Sequence, residues 1–556
     1  MRWKILAKVK AKKPRERRSE IIKALLKNRG LTTKKKQKEF FQPKHPSQLT
    51  AQEVGLSSVQ LKKAVKRIKQ AIKEKEKVIV YGDYDTDGVC ATAIIWEALS
   101  QLKVDVLPYI PQREEGYGLK VEVIDQMAKE GVKLIVTVDQ GIVHSRQVKH
   151  AKKKGIDVIV TDHHQPGKKK PPAVAVIHTV KLAGVGVAWF LASWLTKKIK
   201  PRLSSPSLDL VTIGTVTDMV PLLGPNRAIV KAGLEAVQKT KRPGLLALFQ
   251  FAGIDQKKID TYEIGFIIGP RINASGRMDD PMEALRLLCT PNENRAISLA
   301  QKIDQKNRER QELMKQTSLH ARQRWLKEDG QSALIFVYHQ SYEHGIVGLV
   351  ASRLKDEFYR PAVVLAPRKD HWVGSARSIE EFSIVEALRE LKDLIGDHGG
   401  HRKAAGFSVL PDNLERVKQK LIEKAEEKLA IAQLVAEIKI DVQVELTDLN
   451  LALYQELTKF APFGVDNPEP IFSFSEARVR ELRRIGADNQ HLKLKVNGFP
   501  AIAFGQGELL IELSQAKPVA LAFNLFLNQW NGRKQLELRL RDIKIKESIE
   551  KSSRKS

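Results

Sequence analysis

The sequence predicts an α/β protein of several domains: a parallel sheet, a helical stretch ending in one long helix, a second α/β section and a C-terminal β-barrel of the OB type. Three observations carry that reading. Between about residues 50 and 240, short apolar runs alternate with amphipathic stretches, the pattern of repeated strand–helix units. Residues 294–325 place apolar side chains at helical spacing with charges between them, as in a connecting helix. From about residue 435 the apolar period falls to two, and Asn531-Gly532 reads as a hairpin turn. A sandwich would show the same alternation, but an isolated hairpin would be marginal.

Residues 1–45 hold 17 Lys/Arg against three acidic residues, in clusters such as KVKAKKPRERR and TTKKKQK. The segment is helical in part, around 21–27, and is either a solvated tail or an arm that contacts phosphates. Strands follow at 77–81, 104–110, 134–138 and 157–160, with helices at 89–102, 121–130 and 145–154. The nearly apolar run 182–195 is too short to span a bilayer and reads as a buried helix, so no membrane partner is expected. In the second α/β section LIFVY and AVVLA are strands, and IVGLVASRLKDEF is the helix between them.

A chain of 556 residues exceeds one core. Its 95 Lys+Arg against 65 Asp+Glu give a formal charge of +30, which favours a polyanionic partner, nucleic acid first, unless basic proteins are a habit of the source. Cys90 and Cys289 are too few for a disulfide framework or a thiolate zinc site, and suit a reducing cytoplasm.

The chemistry concentrates at strand ends. VIVYG runs into Asp83, Asp85 and Asp87; LIVTV into Asp139; VIVT into Asp162-His163-His164; and Asp218 ends another apolar stretch, GTVTD. Ligands collect at the carboxyl ends of parallel strands, so these groups converge although far apart in sequence. Clustered carboxylates raise each other's pKa, and divalent cations remove that cost. A lone D-x-D is usually a polar loop. A calcium loop would need a glutamate where Ile94 stands. Carboxylates mixed with imidazole make Mn²⁺ the first choice and Mg²⁺ the second, and the set is large enough for two ions that activate a water for in-line attack at phosphorus.

At these residues the sequence resembles the DHH phosphoesterase superfamily, and within it the RecJ family of bacterial single-strand-specific 5′→3′ DNA exonucleases. The motifs GDYDTDG, REEGYGL, VTVDQGI, VTDHHQPG, LAGVGVAW, GTVTDMVPL, GPRINASGRMDDP, HGIVGLVASRLK, GSARSI, GGHRKAAG and FGVDNPEPIF occur in family order. The basic arm (1–45), which has no clear counterpart in the family pattern, comes first and a polar tail (549–556) last; between them the resemblance implies a DHH domain (46–245), a helical connector (246–328), a DHH-associated domain (329–430) and an OB-fold domain that binds nucleic acid (431–548). It implies that Asp85, Asp87, Asp139, His163 and Asp218 bind two divalent cations, with Asp139 bridging and Asp83 a further ligand. His164 then meets the scissile phosphate and Asp162 orients its neighbours. Gly399, Gly400 and His401 approach a phosphate, unless GGHRKAAG is only a tight turn. Arg377 with Ser375, Arg113, and Arg271 or Arg277 grip the 5′ end and flanking phosphates. The implied partners are single-stranded DNA, a helicase and a single-strand-binding protein, in recombination and repair. A phosphodiesterase of short oligonucleotides or cyclic dinucleotides and a non-catalytic replication scaffold are the alternatives. Two features depart from the pattern. Gln140 replaces a smaller residue, and IHTVK (177–181) replaces an Asn-Pro and its loop.

Overall fold

A computed structural model describes residues 1–545 except 117, 202–205, 430–433, 516–517 and 531–532, and only the backbone of Glu114, Trp530 and Arg533. The expected turn at Asn531-Gly532 and the polar tail lie outside the described residues. The chain divides into two compact units, one of residues 45–220 and 229–435, the other of 1–44, 221–228 and 436–556.

The larger unit begins with five parallel strands in the order Asp105–Tyr109, Lys77–Tyr81, Val132–Val138, Asp157–Asp162, Ala175–His178. Alternate side chains serve opposite faces. Val78, Val80, Leu134 and Val136 enter the core shared with helices Ser58–Glu74, Thr86–Gln101 and Gly184–Ile199. Ile79, Tyr81, Ile135, Val158 and Val160 pack with helices Val121–Lys129 and Ser145–Lys153 on the other side. Both faces are covered, which is why the strands read as continuous apolar runs. Because the strands are parallel, all their carboxyl ends meet at one edge.

The helix Gly184–Ile199 is the apolar run read from the sequence, and no described helix is long and apolar enough to cross a membrane. The strand Ala175–His178 was not anticipated: four residues behind Pro171-Pro172 leave too short a run to show periodicity. A 36-residue helix, Glu293–Glu328, is capped by Asn292, whose side chain accepts from the Arg295 amide at 2.9 Å. It leads to a second sheet in the order His398–His401, Ala404–Val409, His371–Arg377, Ala362–Arg368, Ile335–Tyr338, in which only the last pair is parallel.

The smaller unit contains a seven-stranded, mainly antiparallel sheet whose longest pair is Val519–Trp530 with Arg533–Lys544. Bulges at 474/477, 480/483 and 522/523 increase its coiling. The basic segment is no solvated tail. Strand Arg2–Ile5 pairs in parallel with Glu437–Ile440, and helix Pro14–Asn28 buries Ile21 and Leu25 in the core of this unit with Leu31 and Phe40. Lysine density masked that apolar stripe. Arg17 makes two bonds to Asp448, at 2.7 and 2.8 Å, and Arg29 bonds Asp441 and Asn467. The buried Arg227 guanidinium donates to the carbonyls of Phe40, Phe460, Ala461 and Pro462 and lies 3.6 Å from the Phe40 ring centre.

Leu25→Ala should therefore lower the unfolding free energy of the smaller unit by about 2–5 kcal/mol, the usual cost of a fully buried leucine. Chemical denaturation of the full chain checks this; a tail would give no change.

Candidate metal and phosphate site

The loop after strand Lys77–Tyr81 turns directly into helix Thr86–Gln101. Asp85 caps that helix by accepting from the Gly88 amide at 2.9 Å. Asp87 reaches across to the start of helix Gly184–Ile199, accepting from the amides of Gly184 at 2.7 Å and Val185 at 3.0 Å. Two helix N-termini thus aim partial positive charge at the carboxylates. Gly184 has to be glycine, because a Cβ there would lie 2.3 Å from Asp139 Oδ1. Asp139 itself takes a left-handed φ of 59° directly after strand Val132–Val138, a strained conformation for a non-glycine residue.

Asp162, the last residue of its strand, organises the loop that follows. Its Oδ1 accepts from the amides of His163 (2.7 Å) and His164 (3.0 Å) and from His164 Nδ1 (2.8 Å), while Oδ2 accepts from the Ile142 amide (2.8 Å). Asp218 arrives from the C-terminus of helix Leu208–Thr217.

These side chains converge. His163 Nε2 lies 3.2 Å from Asp139 Oδ1 and 4.0 Å from Asp87 Oδ2, and His163 Nδ1 lies 3.6 Å from Asp218 Oδ2. Three sets of ligand atoms each fall within 4.8 Å of one another: Asp139, His163 and His164; Asp87, His163 and Asp218; and Asp83, Asp85 and Asp139. Burial first, then neighbouring carboxylates, push Asp83 up to about 8 and Asp87 up to about 7, and raise Asp139 and Asp218 well above the usual carboxylate range. Burial and the nearby His164 push His163 down to about 4. Burial would also lower His164, but its hydrogen bond to Asp162 raises it instead.

The donor set fits divalent cations. Asp83 Oδ1 and Asp218 Oδ2 are buried with no hydrogen-bond partner among the described residues. Oxygen and imidazole ligands without thiolate suit Mn²⁺ or Mg²⁺.

Beside the acids stands a cationic group. The Arg113 guanidinium lies 5.3 Å from the Tyr84 ring centre. Arg377 Nη1 donates to Ser375 Oγ (3.0 Å), and Arg277 Nη1 to the Gly345 carbonyl (3.1 Å). Burial, then the positive charges of Arg113, Arg310 and Arg377, push Arg277 down to about 10, and Asp85 acts in the opposite direction. Arg271 is committed elsewhere, donating to Asp304 at 2.9 Å and to the Ile267 carbonyl at 3.0 Å. Its guanidinium ties the connector to the long helix. Gly399, Gly400 and His401 lie on the exposed edge strand His398–His401. Gly400 has φ 142°, and a Cβ on Gly399 would meet nothing within 4 Å. Among the described residues, no hydrogen bond or ion pair joins these three to the carboxylates.

Sequence reasoning missed several supports. His178, opposite Asp162 in the sheet register, donates from Nε2 to the His164 carbonyl at 2.7 Å. Asn273 Oδ1 accepts from the Thr86 amide at 2.8 Å, and Thr86 Oγ1 donates to the Gly269 carbonyl at 3.1 Å. Gln140 Nε2 donates to the Gly82 carbonyl at 2.5 Å, tying the loop of Asp139 to the loop of Asp83. Gln140 and the segment 177–181 that contains His178 stand out in the sequence as departures from the pattern, but the partners of these side chains do not, because they are distant in sequence.

Two outcomes follow from this geometry. Carboxyls raised in the folded state make the metal-free protein lose stability as pH rises through about 7–8, whereas cations require the ionised forms. In chelator the thermal midpoint should therefore fall between about pH 5 and 8, and Mn²⁺ should bind more tightly as pH rises, with proton release measurable by calorimetry in buffers of different ionisation enthalpy. His178→Ala should cost roughly 10–100-fold in metal affinity or turnover. His178→Gln, which can place an N–H where Nε2 stands, should recover most of the loss in the same assay.

Three segments match family models: residues 77–215 the N-terminal domain of the DHH family, 330–427 the DHHA1 domain and 440–542 the RecJ OB domain. The single-stranded-DNA-specific exonuclease RecJ of Bacillus subtilis is 34% identical over 567 aligned residues, covering 98% of this chain and 71% of that protein. Its Escherichia coli namesake is 35% identical over 521, covering 87% and 90%. The crystal structure of Thermus thermophilus RecJ in complex with Mn²⁺ matches with a TM-score of 0.83 at 30% identity, covering 98% of this chain and 80% of that one. The corresponding Mg²⁺ complex matches at 0.76 and 29%, covering 98% and 79%. With a DHH domain, a DHHA1 domain and an OB domain in this order, and with relatives matched along most of their length, the chain belongs to the RecJ family.

Proposed function

We propose that this protein is a metal-dependent exonuclease that hydrolyses single-stranded DNA from its 5′ end and releases 5′-mononucleotides, in recombination and repair. Two divalent ions, Mn²⁺ in preference to Mg²⁺, would be held by Asp83, Asp85, Asp87, Asp139, His163 and Asp218, with Asp139 shared. The observation that carries this reading is the overlap at Asp139: it belongs both to the set with the two histidines and to the set with Asp83 and Asp85. The family resemblance and the names of the relatives support the substrate. Bound ions would make water nucleophilic at neutral pH and take up charge on the attacking and leaving oxygens.

The chain's own groups do the remainder. The Gly184 and Val185 amides hold Asp87 in one rotamer, so a ligand is positioned before substrate arrives. Asp162 keeps a proton on His164 Nδ1 and turns the ring so that Nε2 can donate to a phosphoryl oxygen. Arg113, Arg277 and Arg377, with Ser375, would hold the 5′ terminal phosphate and thereby set polarity, because a strand entered from its other end offers them no phosphate monoester. Gly399, Gly400 and His401 would contact the adjoining backbone. A helicase and a single-strand-binding protein are the partners this reading calls for, and the cytoplasm its place of action.

Digestion of 5′- and 3′-labelled single and double strands in Mn²⁺, Mg²⁺ or chelator tests the proposal. Mononucleotide should appear only from the 5′ end of single strands, faster in Mn²⁺ and not at all in chelator. Asp139→Asn should lower turnover by more than about 100-fold, a loss of several kcal/mol in transition-state stabilisation, while leaving DNA binding intact. Faster cleavage of dinucleotides than of long strands would overturn the substrate class. Intact strands in every metal would favour a scaffold.

A further inference from the structure

We propose that the ordered basic face of residues 1–44 is a second contact surface for the phosphate backbone of the single-stranded substrate, apart from the metal centre. This rests on the reading of the protein as a single-strand nuclease. Three observations support it.

First, the cations are carried on folded structure. Strand pairing with Glu437–Ile440 and burial of Ile21, Leu25 and Phe40 hold the backbone in place, so a contact made by these lysines costs only side-chain freedom. Second, most acids of the segment and its neighbourhood are already engaged. Glu20 Oε2 accepts from the amides of Lys10 and Ala11, Asp448 is held by Arg17, Asp441 by Arg29 and Glu437 by Arg2. Third, Lys34, Lys35, Lys36 and Lys38 crowd into little more than one turn of helix Lys34–Phe41, all exposed; Lys36 Nζ donates to the Gly30 carbonyl at 3.4 Å, and none of the four forms an ion pair among the described residues. Like charges at this spacing destabilise a helix by a few tenths of a kcal/mol per pair, and no acidic side chain occupies the first turn to offset them. Glu39 is the one acid of this helix and forms no ion pair with them among the described residues, which leaves the charge short of compensation. A polyanion supplies it from outside, and the core into which the segment packs is that of the RecJ OB domain, a fold whose members hold single strands.

The test uses the full-length protein and fluorescent thymidylate oligomers several times longer than the roughly 4–16 nucleotides one OB fold occupies, in chelator to prevent cleavage. One variant carries Lys34→Gln, Lys35→Gln, Lys36→Gln and Lys38→Gln; a control carries Lys62→Gln, Lys63→Gln, Lys66→Gln and Lys69→Gln, exposed lysines of helix Ser58–Glu74. Thermal melts show that both are folded. The first variant should bind at least about tenfold more weakly near 0.1 M salt, with the slope of log K against log salt shallower by up to about 0.7 for each lysine that touches a phosphate. The control should bind like the natural protein, and cleavage of a tetranucleotide in Mn²⁺ should be the same in all three.

An unchanged slope in the first variant, or an equal loss in the control, overturns the surface as a specific contact. Loss of binding to anionic vesicles or to an acidic protein, with thymidylate binding unchanged, overturns it in favour of that other partner. If the natural protein itself neither binds nor digests thymidylate, the nuclease reading fails, which is a result distinct from digestion with an unchanged slope.

Discussion

Mutual repulsion among buried carboxylates is the constraint on which the architecture turns. Asp83, Asp85, Asp87, Asp139 and Asp218 are brought together from three separate segments of chain, four of them to the edge where parallel strands end. Without positive charge such a cluster would splay into solvent or hold protons. Nearby backbone N–H groups offset part of the cost: Asp85 caps one helix and Asp87 sits at the start of another. The remainder is left for dications, which converts a destabilising concentration of charge into binding energy for metal.

Around that centre the fold uses shape to keep distances short. Gly184 admits Asp139, Gly276 lets the connector approach the Tyr84 backbone, and Gly345 admits Arg277. A methyl group at any of these places would push a charged element outward. The connector is thereby more than a spacer: through Asn273, Gly269 and Gly276 it grips the loop that holds Asp83, Asp85 and Asp87, and through Arg271 it grips the long helix. Displacement of the long helix would be felt at the aspartates.

Much of this was legible in the sequence. Strand Lys77–Tyr81 and its neighbours are buried on both faces, so they announced themselves as apolar runs, and acids placed at their ends could only converge at a shared edge. The long helix shows its period over 36 residues. Pairings between distant residues were not legible. That His178 steadies the His164 carbonyl, or that Gln140 braces Gly82, depends on strand order and loop shape, neither of which leaves a periodic signal. The bond from Arg271 to Asp304, 33 positions along the chain, is a further pairing of that kind. In the first 44 residues lysines outnumber the apolar positions that anchor the segment, so charge concealed the packing.

The pairing of Arg2–Ile5 with Glu437–Ile440 joins positions 435 residues apart. On the ribosome the first strand emerges long before its partner exists; at about 5–20 residues per second the interval is roughly 20–90 s. Through that time Ile21, Leu25 and Phe40 have no core to enter. Closure of the smaller unit is therefore a late event, contingent on synthesis of the segment from residue 436 onward.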